Sequence, residues 1–282
     1  MKILFFILIV LIIIYFFLKS RNVDIEGFTD RYNIPDDLYD KQMVDIYDIV
    51  WNNPSFYKNV RLEHGYFDKG KSILDAGCGL GHSTNYYREL GMNVLGLDKS
   101  KQMLNKASVI NPKNKYLRGD LVSSGLFEKD KFDIISIGLM TLHMNSKGNV
   151  DKILDNCHKW LKNEGVLIVD IVENERLILF PQDYSQFYND DKGNRHFFTY
   201  FKGFLHDLWF IKDKKEKEGY DFYEKVVLEN GKDRVKTTKL YIPSPSELIG
   251  IIENKGFKLE EVLEIKGHTG NKLYCFRKSG IN

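Results

Sequence analysis

The residues best suited to bind a ligand form a glycine-rich turn behind a short apolar run. The run ends at Asp75, and glycines follow at positions 77, 79 and 81. Because glycine has no Cβ and adopts positive φ readily, such a turn lets a ligand approach the backbone closely. A helix that starts after Gly81 would add unpaired N–H groups beside the same ligand. The pattern predicts a site for a nucleotide-like cofactor, either a dinucleotide or a nucleoside with an amino-acid tail.

The spacing of the three glycines separates these two ligands. The dinucleotide fingerprint reads G-x-G-x-x-G. Here Gly77 and Gly79 are followed by Gly81, so the third glycine comes one position early, before His82. The spacing therefore favours the nucleoside with an amino-acid tail, and a dinucleotide-dependent oxidoreductase is the less favoured function class.

Two further acids follow the next two apolar runs. Asp98 ends the run at residues 94–97, 17 residues beyond Gly81, and Asp120 follows residues 116–119. If these runs are neighbouring parallel strands, the acids lie at carboxyl ends of strands, where open α/β sheets bind ligands. Asp98 could accept both ribose hydroxyls, and Asp120 could accept from the exocyclic amine of adenine. Either acid alone could be a helix N-cap or a surface loop residue, whereas their joint position with the glycine turn favours a site.

The strands and helices that must position these residues are predicted from an alternation of apolar and amphipathic segments. Between residues 71 and 171, short runs of Ile, Leu and Val alternate with amphipathic stretches, which is typical of a parallel sheet with helices on both faces. After Glu173 this rhythm stops, and fifteen aromatic residues lie within residues 180–241. This composition predicts a strand-rich insertion at about residues 173–243.

Local signals mark the end of the insertion and the rest of the chain. The pair Asn230-Gly231 predicts a hairpin with a type I′ turn. Ser244 followed by Pro245 predicts the start of a helix. The last two strands are predicted at residues 257–265 and 272–277.

Together these motifs resemble those of the class I S-adenosylmethionine-dependent methyltransferases, and the resemblance covers roughly residues 37–278. It implies an α/β fold with a Rossmann-like seven-stranded sheet and helices on both faces. It also implies that the insertion is a lid over the substrate, as in the small-molecule branch, and that S-adenosyl-L-methionine is the cofactor. The cofactor-binding residues that it implies are Asp75, Gly77, Cys78, Gly79, Gly81, Asp98, Lys99, Met103, Gly119, Asp120, Leu121 and Gly138.

The resemblance also implies a role for several of these residues. Asp98 would bind the ribose and Asp120 the adenine amine. Met103 and Leu121 would contact the faces of the adenine, and the glycine turn would hold the methionine part. Cys78, within that turn, is expected to be a small packing residue and not a nucleophile.

Methyl transfer from a sulfonium displaces an already activated group, so the protein supplies positioning, exclusion of water and, where needed, a base. His143 follows residues 132–142 and is the candidate catalytic base, because imidazole titrates near neutral pH. An ordinary hydrogen-bonded loop histidine is the alternative. His82 could contact the methionine carboxylate or lie at the surface. Other aromatic side chains could cover the site or form the core of the insertion: Tyr39, Tyr47, His196, Tyr200 and Trp209.

Composition narrows the range of partners. Lys and Arg total 41 against 39 Asp and Glu, a net charge of +2, which gives no global field for a polyanion, so nucleic acid is not an expected partner. The three cysteines lack the spacing of a zinc site, and no metal is expected. The leading hypothesis is methyl transfer to an N or O atom of a small molecule. A lipid or membrane-protein acceptor, or a catalytically silent cofactor-binding or interaction module, are the alternatives.

The first residues of the chain predict a membrane anchor. Residues 3–18 carry no charge, and lysines flank them. A helix of sixteen residues reaches about 24 Å, which makes it marginally able to cross the ~30 Å hydrocarbon core. The segment predicts a single-pass anchor over residues 1–20, a tether over residues 21–36 and the methyltransferase domain over residues 37–282. A cleaved signal peptide and a buried core helix are alternatives, and the Lys and Arg residues behind the span favour a cytoplasmic domain.

Overall fold

The computed structural model of this 282-residue chain describes residues 28–30, 39, 41–51, 66–172, 186–264 and 271–279. The elements before the insertion are, in chain order, β1 (Phe28–Asp30), α1 (Lys41–Trp51), β2 (Ser72–Ala76), α2 (His82–Glu89), β3 (Asn93–Asp98), α3 (Lys101–Ile110), β4 (Tyr116–Arg118), β5 (Phe132–Ile137), α4 (Lys147–Trp160) and β6 (Leu161–Val172). The insertion comprises β7 (Gln186–Asn189), β8 (Arg195–Phe201), β9 (Phe204–Lys212), β10 (Gly219–Leu228) and β11 (Asp233–Tyr241). The remaining elements are α5 (Pro245–Glu253), β12 (Phe257–Glu264) and β13 (Asn271–Lys278).

The main sheet has the order β1-β4-β3-β2-β5-β6-β13-β12. β13 pairs antiparallel with β6 and β12, and the other pairs are parallel. The Ile, Leu and Val runs of β2, β5 and β6 are largely buried, as expected for strands covered on both faces. The predicted seven-stranded sheet is therefore confirmed. The short β1 adds an eighth strand beside β4 and lies within residues 21–36, which the sequence predicts as a tether.

Serine side chains begin two helices that matter for the site and for the end of the fold. Ser100 Oγ accepts from Met103 N at 3.0 Å before α3. Ser244 Oγ accepts from Glu247 N at 3.3 Å before α5, whose first residue is Pro245. Each bond satisfies an N–H that a helix start leaves unpaired. The predicted start of α5 is confirmed.

The insertion forms an antiparallel sheet in the order β11-β10-β9-β8-β7, as predicted for a strand-rich lid. The hairpin at Asn230-Gly231 is confirmed, but its turn differs from the prediction. A type I′ turn needs positive φ at both central residues, and in this described turn only Gly231 has it, with a φ of 78°. The last paired residues are Val227 and Asp233, so a longer loop connects β10 to β11.

The two faces of this lid sheet contact different surroundings. Directly paired residues of an antiparallel sheet share a face, and neighbours along a strand alternate. Leu208 is paired with Glu224, and His206, on the same face, contacts Trp51 of α1 with ring centroids 6.3 Å apart. We call this the inner face of the lid. Trp209, the next residue after Leu208, lies on the outer face.

Helix α1 lies between the inner face and the main sheet. On one side Met43 belongs to a buried cluster with Leu208 of the lid. On its other side Val44 packs with Leu80 of the glycine turn and Met103 of α3. The helix therefore covers the turn that the sequence predicts as the cofactor site.

The predicted membrane localisation is corrected. Within the described residues, no helix is long and apolar enough to cross a membrane. The longest of these helices, α4, has 14 residues, and its length of about 21 Å falls short of the ~30 Å hydrocarbon core. Residues 1–20, the predicted anchor, lie outside the described residues.

Candidate cofactor site and the lid above it

The glycine turn is fixed to the sheet and open on one side. Gly77 N and Cys78 N both donate to Leu97 O of β3, at 2.7 and 3.0 Å. Gly77 and Gly79 have φ of 76° and 52°, a region in which a Cβ is unfavourable. A Cβ on Gly77 would overlap the Thr141 side chain, whereas one on Gly79 would meet no atom within 4 Å. The space for a ligand is therefore above Gly79.

Asp98 lies beside this space, and backbone N–H groups orient its carboxylate. Gly79 N donates to Oδ2 at 2.9 Å, and Ser100 N donates to Oδ1 at 2.8 Å. Asp98 is half-buried at the end of β3. A carboxylate oxygen has two acceptor positions, and a carboxylate oriented in this way suits a ligand with two neighbouring hydroxyl groups, such as a ribose diol. The open glycine turn and this oriented acceptor fit the adenosyl group of S-adenosylmethionine.

The residues predicted to hold the adenine lie next along the same edge of the sheet. Asp120 Oδ1 accepts from Val122 N at 3.2 Å, which orients the half-buried carboxyl group. Leu121 is 8% exposed, and its carbonyl accepts from Asn156 Nδ2 at 2.7 Å. Met103 is buried where α3 meets α1.

Asp75 occupies a different position from the other two acids. Ser83 Oγ and Thr84 Oγ1, both in α2, donate to its Oδ2 at 2.6 and 2.5 Å. Burial raises the pKa of Asp75 to about 6, although these hydroxyl groups oppose the shift. The carboxyl group thus joins β2 to α2 beneath the glycine turn. Its contact with the cofactor stays a prediction.

The other residues of the predicted set have varied surroundings. Cys78 is buried, and burial raises the pKa of its thiol. Gly119 N donates to Asp98 O at 3.0 Å, which joins the segment before Asp120 to the end of β3. Gly81 lies against the Tyr116 ring, and Lys99 is exposed.

His143 is placed where it cannot act as the predicted base, and that assignment is corrected. It is 1% exposed. Its Nε2 accepts from Val172 N at 3.4 Å, so Nδ1 carries the proton and donates to Tyr241 O at 3.0 Å. Burial lowers its pKa. Both ring nitrogens bond to backbone, so the side chain joins the end of β11 to the main sheet and leaves neither nitrogen for a substrate.

The turn at residues 138–141 follows β5 at the same edge of the sheet. Leu139 and Met140 have positive φ, 51° and 62°. Asp170 of β6 is fully buried beneath them, and Met140 N donates to its Oδ2 at 2.9 Å. Sequence reasoning did not single out Asp170, although it is the only charged residue in residues 166–172.

A second group of side chains lies where the lid meets α1, and sequence reasoning singled out only two of its members, Tyr39 and Tyr47. We call it the lid–helix cluster; its members are Tyr39, Tyr47, Trp51, His206, Glu224 and Lys236. Lys236 Nζ lies 3.0 Å from Glu224 Oε2 and 3.9 Å from the centroid of the Tyr39 ring. His206 Nε2 lies 3.7 Å from Glu224 Oε1. The available signal was the alternation in β10, where Glu224 takes the place of an apolar inner-face residue between Phe222 and Val226.

Charges reach from this cluster to the cofactor side. Burial acts to raise the pKa of Glu224, but His206 and Lys236 outweigh it and hold that pKa at about 2, so the carboxylate stays ionised. Burial raises the pKa of Tyr47, and Tyr39, Glu224 and Asp98 raise it further. The charges of the Glu224 and Asp98 carboxylates therefore both act on the Tyr47 hydroxyl.

His82 contacts α1. Its Nε2 lies 3.6 Å from Asp48 Oδ1, and Lys106 Nζ of α3 lies 2.8 Å from Asp45 Oδ1. Burial lowers the pKa of His82, so its contact with Asp48 is not an ion pair near neutral pH. The two contacts join α1 to the helices that border the glycine turn, and the partly exposed Lys106–Asp45 ion pair is expected to contribute at most about 1 kcal/mol. The proximity of His82 to Asp48 gives it a partner other than a methionine carboxylate.

The aromatic side chains of the insertion divide between the two faces of the lid. The strand register places His196, Tyr200 and Trp209 on the outer face, opposite the side that meets α1. The His196 ring stacks between Tyr188 and Trp209, with centroids 4.6 and 4.4 Å away. These residues do not cover the glycine turn, whereas Tyr39 and Tyr47 lie at α1 beside it.

Comparison with known proteins agrees with this geometry. Residues 74–169, from β2 to β6, match a family described as a methyltransferase domain. An uncharacterised methyltransferase of Synechocystis is 28% identical over 126 residues, which cover 44% of this chain and 58% of that protein. The first curated relatives are matched over between 21% and 58% of their own length.

Solved structures share the fold at low sequence identity. The CcbJ methyltransferase of Streptomyces caelestis has a TM-score of 0.67 at 17% identity, covering 86% of this chain and all of that chain (100%). An amino pentose methyltransferase of Micromonospora echinaspora, solved with S-adenosylmethionine bound, has a TM-score of 0.58 at 16% identity, covering 86% of this chain and 99% of that one.

Proposed function

We propose that this chain, whose residues 74–169 match a methyltransferase-domain family and whose fold is shared by solved methyltransferases, transfers a methyl group from S-adenosylmethionine to an N or O atom of a small molecule. The observation that carries this proposal is the pairing of the open glycine turn with Asp98. The Gly79 N–H orients the Asp98 carboxylate at 2.9 Å, directly beside the space above that glycine.

The chain's own residues would hold the cofactor along the edge of the main sheet. Asp98 accepts from the ribose hydroxyl groups, Asp120 accepts from the adenine amine, and the glycine turn accommodates the methionine part. When bound, the cofactor supplies a methyl group on a sulfonium, which is already activated for displacement. The protein therefore contributes orientation and exclusion of water, which α1 supports by covering the turn.

The acceptor is proposed to bind on the lid side of the cofactor, against the lid–helix cluster. Two features support this position. Glu224 is 5% exposed and the side chain of Lys236 is 9% exposed, so both charged groups are largely removed from water, where charges are costly unless they have partners. Tyr39 and Tyr47 offer hydroxyl groups and aromatic faces on the cofactor side. A small molecule with polar groups fits these surroundings better than a long acyl chain.

Isothermal titration calorimetry of the full chain with S-adenosylhomocysteine and with NAD tests the proposal. Binding of S-adenosylhomocysteine without binding of NAD is the expected result. A methyl-transfer assay with labelled S-adenosylmethionine and panels of small amines, hydroxy compounds and carboxylates then tests turnover. Binding without turnover on any panel would favour a catalytically silent cofactor-binding module, and no binding would refute the proposed site.

A further inference from the structure

The turn at residues 138–141 joins the cofactor side of the site to the lid side. Thr141 packs against Gly77 of the glycine turn. Met140 belongs to the buried cluster that α1 and the inner face of the lid form. A change in the path of this turn would therefore move both contacts.

The backbone of this turn is strained. Leu139 and Met140 are consecutive residues with φ of 51° and 62°, in the left-handed region that side chains with a Cβ occupy at an energetic cost. Such a conformation persists only where surrounding groups hold it. The sequence provides no glycine at either position, so other contacts must hold the conformation. Within the turn, Thr141 N donates to Gly138 O at 3.2 Å.

Asp170 supplies one such contact. Met140 N donates to Asp170 Oδ2 at 2.9 Å. Asp170 is 0% exposed, and its Oδ1 is buried without a hydrogen-bond partner in the described part of the chain.

A buried carboxyl group at position 170 is unfavourable for the free energy of folding. Burial raises its pKa to about 7, and an incompletely satisfied buried acid costs free energy relative to an apolar side chain of similar size. Its neighbours in β6 are apolar and fully buried. This cost in folding free energy is explained if the conformation of the turn at residues 138–141 is needed for function.

We propose that Asp170 is a positioning residue for methyl transfer. By holding Leu139 and Met140 in the left-handed region, it seats Thr141 against Gly77 and Met140 against α1 and the lid, and so aligns the cofactor turn with the acceptor side. This inference rests on the proposed function.

Three substitutions of Asp170 test the role of its acceptor atoms, with S-adenosylhomocysteine as the probe in calorimetry. Asp170→Ala and Asp170→Leu remove the acceptor, and each should weaken binding at least about tenfold. Leucine fills the space, so it provides the same comparison if the alanine variant does not fold. Asp170→Asn keeps a carbonyl acceptor for Met140 N and should bind within about threefold of wild type.

Two further variants separate positioning from general stability. Val169→Ala removes a fully buried side chain from the neighbouring position of β6; it should lower the unfolding midpoint but leave the affinity for S-adenosylhomocysteine unchanged. Leu139→Gly relieves one left-handed residue without needing the carboxylate. Added to Asp170→Ala or Asp170→Leu, it should recover at least about threefold in affinity, because glycine occupies positive φ freely.

The outcomes distinguish the two proposals. Wild-type affinity in Asp170→Ala or Asp170→Leu would overturn the positioning role, as would an equal loss of affinity in Val169→Ala. Failure of Leu139→Gly to recover binding would also overturn it, since the loss of affinity would then not arise from the conformation of the turn. Absence of S-adenosylhomocysteine binding to the wild-type chain would instead refute the proposed function.

Discussion

Thr141 covers Gly77, because the Thr141 side chain fills the space that a Cβ on Gly77 would need. Two residues further on, Gly79 has open space in the same direction and an N–H bonded to Asp98. The two glycines of one short motif therefore serve different purposes. Gly77 allows close packing against the turn after β5, and Gly79 leaves room beside the ribose acceptor.

Gly79→Ala is expected to fold but to bind S-adenosylhomocysteine at least about tenfold more weakly, because its Cβ would enter the ligand space. The cost in unfolding free energy should be about 1 kcal/mol, since alanine must adopt a left-handed φ. Calorimetry and urea denaturation measure the two effects.

Gly193→Ala is the matched control for that substitution. Gly193 has a φ of 80° and open space around its missing Cβ, but it lies in the lid between β7 and β8. It should show a similar loss of stability and wild-type affinity. Equal affinities of Gly79→Ala and wild type would contradict the position assigned to the ligand.

Asp98→Ala is expected to weaken S-adenosylhomocysteine binding more than about tenfold, because two charge-assisted acceptor sites for the ribose are lost. Asp155→Ala serves as the comparison, since Asp155 is exposed on α4 and pairs only with a lysine, Lys255, in the contacts described. It should leave the affinity unchanged. An Asp98→Ala variant that is folded and binds like wild type would remove the ribose assignment.

His143→Phe is expected to retain cofactor affinity within about threefold while losing about 1–3 kcal/mol of unfolding free energy, because Tyr241 O and Val172 N lose their partners. Urea denaturation across pH checks the protonation state. The pKa of His143 is lowered in the folded protein from its ordinary 6.5, so the unfolded chain binds the proton more tightly. The histidine's contribution is present above pH 6.5 and is lost as the pH falls below that value.

The phenylalanine variant should lack this part of the acid dependence. A variant with wild-type stability and wild-type cofactor affinity, but without methyl transfer on an acceptor that the wild type methylates, would restore His143 as a base.

Glu224→Gln is expected to destabilise the protein by about 2–4 kcal/mol at pH 7, because it leaves the Lys236 ammonium buried without its charged partner. The pKa of Glu224 is held at about 2 instead of 4.5. Its stabilising effect is therefore present above pH 4.5 and is lost as the pH falls from 4.5 toward 2, by an amount on the order of 3 kcal/mol.

Urea denaturation of wild type and Glu224→Gln at pH 7, 4.5 and 3 measures this difference. Glu260→Gln is the control, because Glu260 pairs with Arg277 at the partly exposed edge of the sheet, where a pair contributes at most about 1 kcal/mol. A Glu224→Gln variant with the same stability as wild type at every pH would show that the lid–helix cluster is not a tightly coupled buried network.

The sequence predicted those parts of the molecule whose cause is local or periodic. Unbroken apolar runs require strands buried on both faces, and this fixed the main sheet. The Ser244 cap fixed the start of α5, and the glycine turn with Asp98 and Asp120 indicated the cofactor edge. In each case neighbours along the chain, or one repeating pattern, contain the physical reason.

Local signals failed where distant contacts decide. The Asn230-Gly231 pair formed a longer loop because the strand register stops at Val227 and Asp233. His143 looked like a base from its place after β5, but the backbone oxygen of Tyr241, 98 residues away, accepts a hydrogen bond from its Nδ1.

Tertiary structure alone decided which polar groups work together. The sequence by itself predicted that Asp98 and the glycine turn lie together as a ligand site, since adjacent parallel strands must share an edge. Glu224 with Lys236 and Tyr39, and Asp170 with Leu139 and Met140, are brought together by packing between elements that are far apart in the chain. No periodic pattern in the sequence predicts these contacts, because they depend on how the lid and α1 pack on the sheet. The free energy of that packing is distributed over many contacts.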